Sequence, residues 1–311
     1  MSDNNYMDKD AYMQQLEKEN GELKKRMFSV PMSLGGLSNC EAQLVEALEQ
    51  PYQQTLEHIR AQEVAHADET GWRRGNRQRG WLWAWCSAGA AVFMIQAGRG
   101  QKAAQKLPGM FSGILVRDRW GGYNFFSVVR QICWAHLKRD FKARSKAGGE
   151  MGQIGRKLYS LAKQILKMGA RVRDGALQGR TFQHRMASLM RRVEKLLEAG
   201  ASGKGAGRGK CRRIIRHRKS LWTFVHDQRV EPTNNAAERM VRQGVLRRKS
   251  RFGTQSDRGA RYVERILTVC ATCRLQGQSV IEYLRLACPC HLENIPAPSL
   301  IEIAGNLTKI A

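Results

Sequence analysis

The spacing of apolar positions changes character twice along this chain. Met13, Leu16, Asn20, Leu23 and Met27 recur at alternating steps of three and four, an a/d seam with asparagine at one a position. That pattern predicts a short coiled coil over residues 1–30, marginal unless a partner helix packs on it. FSVPMSLGGLSN then breaks the helix, and CEAQLVEALEQPYQQTLEHIRAQ resumes a helical period. From Val64 the pattern becomes short apolar runs between turn signals. EVAHADE, GWLWAWCS, AAVFMIQA, SGILVRD and RQICWAH read as five strands, with a helical RGQKAAQKLPG between the third and the fourth. The helical period returns in LKRDFKARSKA, IGRKLYSLAKQILKMG and TFQHRMASLMRRVEKLLEAG. ASGKGAGRGK, rich in glycine and cations, reads as a mobile loop, and a last helical region follows Thr233 with Asn234 or Asn235 as its N-cap.

Three strands, a helix, two strands and then helices is a mixed α/β order. The pattern divides the chain into a coiled coil (1–30), a helical linker (31–63), a first part of the core (64–144), a helical stretch (145–225), a second part of the core (226–290) and a tail (291–311). WLWAWCSAGAAVFMIQAG, from Trp81, is shorter than the ~20 residues of a membrane span and has a central glycine, so two buried strands joined by a tight turn fit it better.

Charge changes the picture most. The chain has 53 Lys+Arg against 27 Asp+Glu, a formal net charge of +26 that points to a polyanionic partner such as nucleic acid. Residues 1–70 hold 6 basic and 13 acidic side chains, whereas residues 71–265 hold 44 and 11. The basic remainder is the part expected to meet phosphates. No charged and then apolar leader opens the sequence, and eight scattered cysteines suit a reducing compartment, so a cytoplasmic protein is expected.

The few acids of the basic region are candidate chemistry. Asp68 and Asp118 end apolar runs that could be neighbouring strands, and Glu238 lies in EPTNNAAERMVRQGVLRRKSRFGT, a helix able to pack across them. Taken singly, each carboxylate could as well form an ion pair or cap a turn. Converging, the three repel one another unless a divalent cation with a preference for oxygen, magnesium or manganese, joins them. Two such ions about 4 Å apart would serve phosphodiester chemistry. LRRKSRFGT places Arg247, Arg248, Lys249 and Arg251 beyond that glutamate for backbone-phosphate contact, a solvated charge run being the alternative. Cys270 and Cys273, followed by CPCH at Cys288–His291, suggest zinc, but the i, i+3 pair continues an apolar helical face, so zinc is not expected. CWAHLKRD offers Cys133 and His136, a structural histidine being the alternative at His136, with Trp134 assigned to the core. ASGKGAGRGK departs from a P-loop, and no nucleophile elbow is present.

HADETGWR, VRDRWGGYN, QICWAHLKRDF, EPTNNAAERMVR and KSRFGTQSDRGARYVERILTVCATCRLQG stand in the order and wording of the insertion-sequence-66 family of bacterial transposases, which the chain resembles from about Val64 to Arg285. The resemblance implies a DDE transposase with an RNase H-like mixed sheet and flanking helices, the stretch 145–225 being an all-helical insertion before the catalytic glutamate. Carried over, the catalytic and metal-binding acids are Asp68, Asp118 and Glu238, with two Mg2+ or Mn2+ ions, and His136 lies near the site. Arg239, Arg242, Lys138 and Arg139 join Arg247, Arg248, Lys249 and Arg251 as DNA contacts. The implied reaction cleaves a strand at the element end, freeing a 3′ hydroxyl that attacks target DNA. Implied partners are double-stranded DNA, a second copy of the chain in a homodimer or higher oligomer, and accessory proteins of the same element, at the bacterial nucleoid and with no membrane. Longer members begin with an extended DNA-recognition region bearing a cysteine cluster, whereas the first 63 residues here contain only Cys40. The alternative reading is therefore a non-catalytic DNA-binding remnant or regulator of a full-length transposase.

Overall fold

The computed structural model describes residues 33–75, 78–119, 128–204 and 207–301, the side chain of Arg251 excepted. The coiled coil expected over residues 1–30 lies outside them. The chain divides into residues 1–44 and 45–311. Of the first unit, the described part is the start of α1 (Leu34–Ala47), where the sequence pattern had placed a break. Gly35 and Gly36 fall in its first turn, and the Ser33 hydroxyl accepts the Gly36 N–H at 3.0 Å, so a cap offsets the poor propensity of the glycines.

The larger unit is built on one five-stranded mixed sheet: β1 (Val64–Arg74), β2 (Gln78–Cys86), β3 (Ala91–Gln96), β4 (Ile114–Arg117) and β5 (Arg130–Ile132), in the order β3-β2-β1-β4-β5. β1, β2 and β3 are antiparallel in sequence, while β4 runs parallel to β1 and β5 parallel to β4. All five runs predicted from the pattern form strands, and β2 and β3 join through a turn in which Ser87 N donates to Ala90 O. Two boundaries differ in ways that matter. β1 continues beyond Asp68 to Arg74, because Trp72 and its neighbours keep pairing with β2 after β4 has left. β5 stops at Ile132, and CWAH turns into a helix instead of finishing the strand.

Alternation along the strands sends two apolar sets to opposite faces. Ala65, Ala67, Trp83, Trp85 and Val92 pack with Tyr52, Leu56 and Ile59 of α2 (Glu49–Arg60) and with Leu107 and Phe111, which follow the single-turn α3 (Gln101–Ala104). Trp72, Leu82, Ala84, Phe93 and Ile95 pack with Ala237, Met240 and Val241 of α9 (Asn235–Arg251) and with Val263, Leu267 and Ala271 of α10 (Asp257–Leu275). Gly244 lets α9 approach closely, since a Cβ there would lie 2.0 Å from Leu82 Cδ2. The outer edge of β3 is covered by α10, whose Thr268 and Thr272 hydroxyls accept the Phe93 and Ala91 N–H groups at 3.2 and 3.1 Å.

Between β5 and α9 the structure is helical: α4 (Trp134–Ser145), α5 (Gly149–Arg173), α6 (Gly179–Ser202), α7 (Arg208–Ile215), a 3-10 turn (Arg218–Leu221) and α8 (Thr223–His226). The loop read into ASGKGAGRGK is shorter than expected, because α6 runs to Ser202 and α7 starts at Arg208. Ile154, Leu158, Leu161 and Ile165 on α5 face Phe182, Met186, Leu189 and Val193 on α6, a helical stripe from each joined in one cluster. Trp134 ties this cluster to the sheet, with its indole N–H donating to Leu221 O at 2.7 Å. α11 (Val280–Leu292) closes the described chain against α10. Among the described residues no helix is long and apolar enough to cross a membrane.

Candidate active site

Two helix starts and two strand ends meet at one edge of the sheet. In the parallel pair, His66 lies level with Val116, so two residues further on Asp68 of β1 stands beside Asp118, which directly follows β4. Asp68 shares its face with Ala84, the face on which α9 packs. The Asp68 carboxylate accepts the Glu69 N–H at 3.0 Å.

Asn234 sets the position of α9. It occupies the N-cap as expected, yet its side chain does not cap the helix. Fully buried, it reaches back to β1, donating to Ala67 O at 2.8 Å and lying 3.3 Å from His66 Nδ1. Its carbonyl accepts the Glu238 N–H at 3.1 Å, and its own N–H points at Cys133 Sγ at 3.2 Å. The same residue thus fixes the first turn of α9, which carries Glu238, against Ala67 next to Asp68, and couples α9 to the N-cap of α4. A second backbone bond, Trp134 N to Pro232 O at 2.8 Å, closes the junction.

His136 lies in the first turn of α4, on a helix and not at a strand end, with Nδ1 3.3 Å from Glu238 Oε1. The pair is close enough to attract but is not aligned as a hydrogen bond, and both atoms are buried without a hydrogen-bond partner. Cys133 completes a trio whose ligating atoms all lie within 4.8 Å of one another.

The electrostatics follow from crowding acids where water is partly excluded. Burial first, and then the charges of Glu69, Asp118 and Glu238, push the Asp68 carboxyl up to about 7, against the pull of the Glu69 N–H. Burial holds His136 below its ordinary value, reinforced by Arg139 and opposed by Glu238 and Asp118. Burial also raises the Cys133 thiol, against backbone N–H groups of Asn234, His136 and Ala135. Asp68 therefore lies near enough to Asp118 and Glu238 for their charges to act on it, while among the described residues the ligating atoms of Glu238 gather with those of Cys133 and His136 and not with those of the two aspartates.

Three features escaped that reading. Glu69, the next residue on β1, points to the opposite face, where it is 2% exposed and paired with Arg99 at 2.6 Å. Burial and Asp118 nonetheless hold its carboxyl above the usual range. Arg119 forms an ion pair with Asp140 of α4, bracing the segment after Asp118. Asn234 acts as a tether between β1, α4 and α9, which a cap preference alone does not reveal.

The expected DNA contacts divide into two groups. Arg239, Arg242, Lys249 and Arg139 are exposed. Arg248 is turned inward, its guanidinium donating to Gly71 O of β1, and Arg247 stacks over Tyr262 at 5.3 Å. Lys138 lines a pocket of about 620 Å³ together with Phe182, Phe224, Arg173 and Asn235. The side chain of Arg251 lies outside the described atoms. Cys270 and Cys273 are free and sit on α10.

A mixed sheet with Asp68 within β1, Asp118 just past β4 and Glu238 on the helix packed across it, with cationic helices around, defines a mixed α/β protein with acids near one edge of its parallel strands. The particular family is Transposase IS66 family, which the chain matches over residues 20–262 and to which it belongs. Two curated relatives are proteins of Sinorhizobium fredii (strain NBRC 101917 / NGR234). Uncharacterized protein y4qI is 26% identical over 258 residues, covering 74% of this chain and 48% of that protein. Uncharacterized protein y4hP is 23% identical over 258 residues, covering 70% and 46%. The chain thus spans about half the length of these curated relatives.

Proposed function

We propose that this chain is a DDE-type DNA transposase with an RNase H-like core that cuts a DNA strand at an element end and transfers it to target DNA. The observation that supports the reading is that Asp118, directly after β4, and Glu238, on α9, lie near enough to Asp68 of β1 for their charges to raise its carboxyl. The strand order β3-β2-β1-β4-β5, with β2 alone antiparallel to both of its neighbours, supports the core assignment.

The donor set fits a divalent cation. Asp68 has a strained ionisation among three other acids, and Glu238 Oε1 has no hydrogen bond, so a hard cation would relieve both. Asp68, Asp118 and Glu238 would hold it. When bound, magnesium or manganese supplies activation of the attacking oxygen and neutralisation of charge at the leaving oxygen.

The chain's own residues supply position. Asn234 anchors the first turn of α9, which carries Glu238, to Ala67 next to Asp68, and His136 beside Glu238 restricts that side chain's freedom. Exposed Arg239 and Arg242, on the helix that carries Glu238, and Arg139, on the helix that carries His136, would clamp phosphates beside the scissile bond. Water attacks phosphorus at the element end and leaves a 3′ hydroxyl, and that hydroxyl displaces a second phosphodiester in the target at the same site. Double-stranded DNA is the substrate in both steps.

The test is strand nicking and joining with magnesium on DNA carrying the element's ends, comparing wild type with Glu238→Gln. Activity lost while DNA binding persists supports the reading. Equal behaviour of the two proteins would make the chain a DNA-binding regulator instead.

A further inference from the structure

Cys133, His136 and Glu238 come from the N-cap of α4, its first turn and the first turn of α9, and the proposed chemistry uses only the last of them. Their ligating atoms lie within 4.8 Å of one another, and His136 Nδ1 is 3.3 Å from Glu238 Oε1. A tetrahedral ion bound at ordinary Zn–S, Zn–N and Zn–O lengths spaces its ligand atoms by roughly 3.3–3.8 Å, so only small side-chain adjustment separates this trio from a site. Two of its three donors, His136 Nδ1 and Glu238 Oε1, are buried atoms without a hydrogen-bond partner. An unsatisfied buried polar atom is costly, and two facing each other are what a shared ion would relieve.

We propose that Cys133, His136 and Glu238 form a second metal site, selective for a thiophilic divalent cation of the zinc class, whose occupation withholds Glu238 from Asp68 and Asp118. The site's existence stands on the trio alone, and its inhibitory consequence rests on the reading of Glu238 as a catalytic ligand. Selectivity follows from donor type. The carboxylate trio offers only oxygen, which suits magnesium, whereas sulfur with imidazole nitrogen suits zinc. On binding, the Cys133 thiol gives up its proton to solvent and the thiolate takes the ion in its place. Three protein ligands leave a fourth position for water. The two centres share one carboxylate, so zinc in the second site opposes magnesium chemistry in the first without blocking the DNA-binding surface.

The experiment titrates the full chain, free of DNA, with Co2+ as a spectroscopic stand-in for Zn2+. The expected result is a thiolate-to-cobalt charge-transfer band that disappears in Cys133→Ser and is displaced by zinc. His136→Asn is expected to weaken cobalt binding by more than the ~10–100-fold loss that follows removal of an outer partner. Cys133→Ser keeps an acceptor for the Asn234 N–H, and the seven other cysteines contribute equally to both spectra, so the difference spectrum isolates this thiol. In magnesium-supported strand transfer, with each protein normalised to its own zinc-free rate, zinc should inhibit wild type at concentrations at least ten-fold lower than Cys133→Ser. Identical cobalt spectra with and without Cys133 would overturn the site, and an unshifted zinc midpoint would overturn its inhibitory role. A cobalt band that behaves as expected in a protein with no magnesium-supported chemistry would leave the site standing and remove the catalytic reading.

Discussion

The sheet edge and the helical stretch between β5 and α9 use the same residue types in opposite ways. Around the sheet, several basic side chains are turned to internal partners: Arg99 to Glu69, Arg119 to Asp140, Arg265 to Glu49 and Arg248 to the Gly71 carbonyl, while Arg239, Arg242 and Lys249 of α9 stay exposed. Residues 149–226 carry 19 lysines and arginines against four acids, and all 19 are exposed. Near the sheet a cation stabilises the fold and the acids it surrounds. On the helices, cations far outnumber available acids, and their field faces outward. The difference teaches that net charge alone does not locate a phosphate-binding surface; the internal partners must be subtracted first.

The comparison breaks most sharply at the acids. Glu238→Gln and Asp68→Asn are expected to lower magnesium-dependent strand cleavage by about 10³-fold or more, the scale of removing a principal charge-stabilising group. DNA affinity in the same variants should stay level or rise, because each removes a negative charge beside the phosphates. A filter-binding or gel-shift titration run alongside the cleavage assay checks both halves. Collapse of affinity together with activity would make these acids structural.

The helical side predicts the converse. Arg191→Gln, Arg192→Gln and Lys195→Gln combined change three exposed cations of α6. If the helices contact backbone, the slope of log K against log salt should become shallower by up to about 0.9 per lost phosphate contact. Cleavage at saturating DNA should change little. An unchanged slope would mean that these cations form a solvated face, and DNA lies elsewhere.

A third outcome concerns protons. The Asp68 carboxyl is raised from its ordinary value to about 7, so the folded protein binds more protons there than the unfolded chain between roughly pH 4 and 7. Stability from this group is therefore present at low pH and declines as pH rises through that window. A divalent cation needs the ionised form, so the rise in Tm with magnesium should be larger at pH 8 than at pH 5. Thermal melts at the two pH values, with and without magnesium, test this. In Asp68→Asn the pH dependence of the shift should shrink.

Much of this arrangement was legible in the sequence because local pattern controls it. Strand runs such as AVFMIQ and helical stripes such as Ile154, Leu158, Leu161 and Ile165 state their own element type. Asp118 could be placed at a strand end, and Glu238 on a helix, from turn signals and period, whereas Asp68, read as a strand end, lies within β1. The extension of β1 to Arg74 was not legible, since HADETGWRR looks like the end of a strand until β2 is present to pair with it. The helical position of His136 was hidden because CWAH follows an apolar run, and only the bond from Trp134 N to Pro232 O, 98 residues along the chain, marks the turn. Asn234 was read as a cap, a local role, whereas its partners on β1 are 167 and 168 residues away. Long-range polar contacts of this kind leave no period to read.

The smallest expected effect sharpens the comparison best, because it separates two arginines with similar sequence surroundings. Arg242 and Arg248 both lie on α9, but Arg242 is exposed and Arg248 donates to Gly71 O on β1. Arg242→Gln should weaken DNA binding and flatten the salt slope by about 0.9 if it meets one phosphate, with no loss of Tm. Arg248→Gln should cost about 1–2 kcal/mol of stability, the scale of one charge-assisted hydrogen bond at a half-buried site, while leaving the slope unchanged. Gly71 pairs with Trp81 of β2, three positions beyond Asp68, so loosening α9 there also loosens the C-terminal half of the helix that carries Glu238. Denaturant unfolding and salt-dependent binding on the two variants give four numbers. A salt slope that falls equally in both would mean that the inward arginine leaves its carbonyl when DNA arrives, and the division between internal and external cations would have to be redrawn for α9.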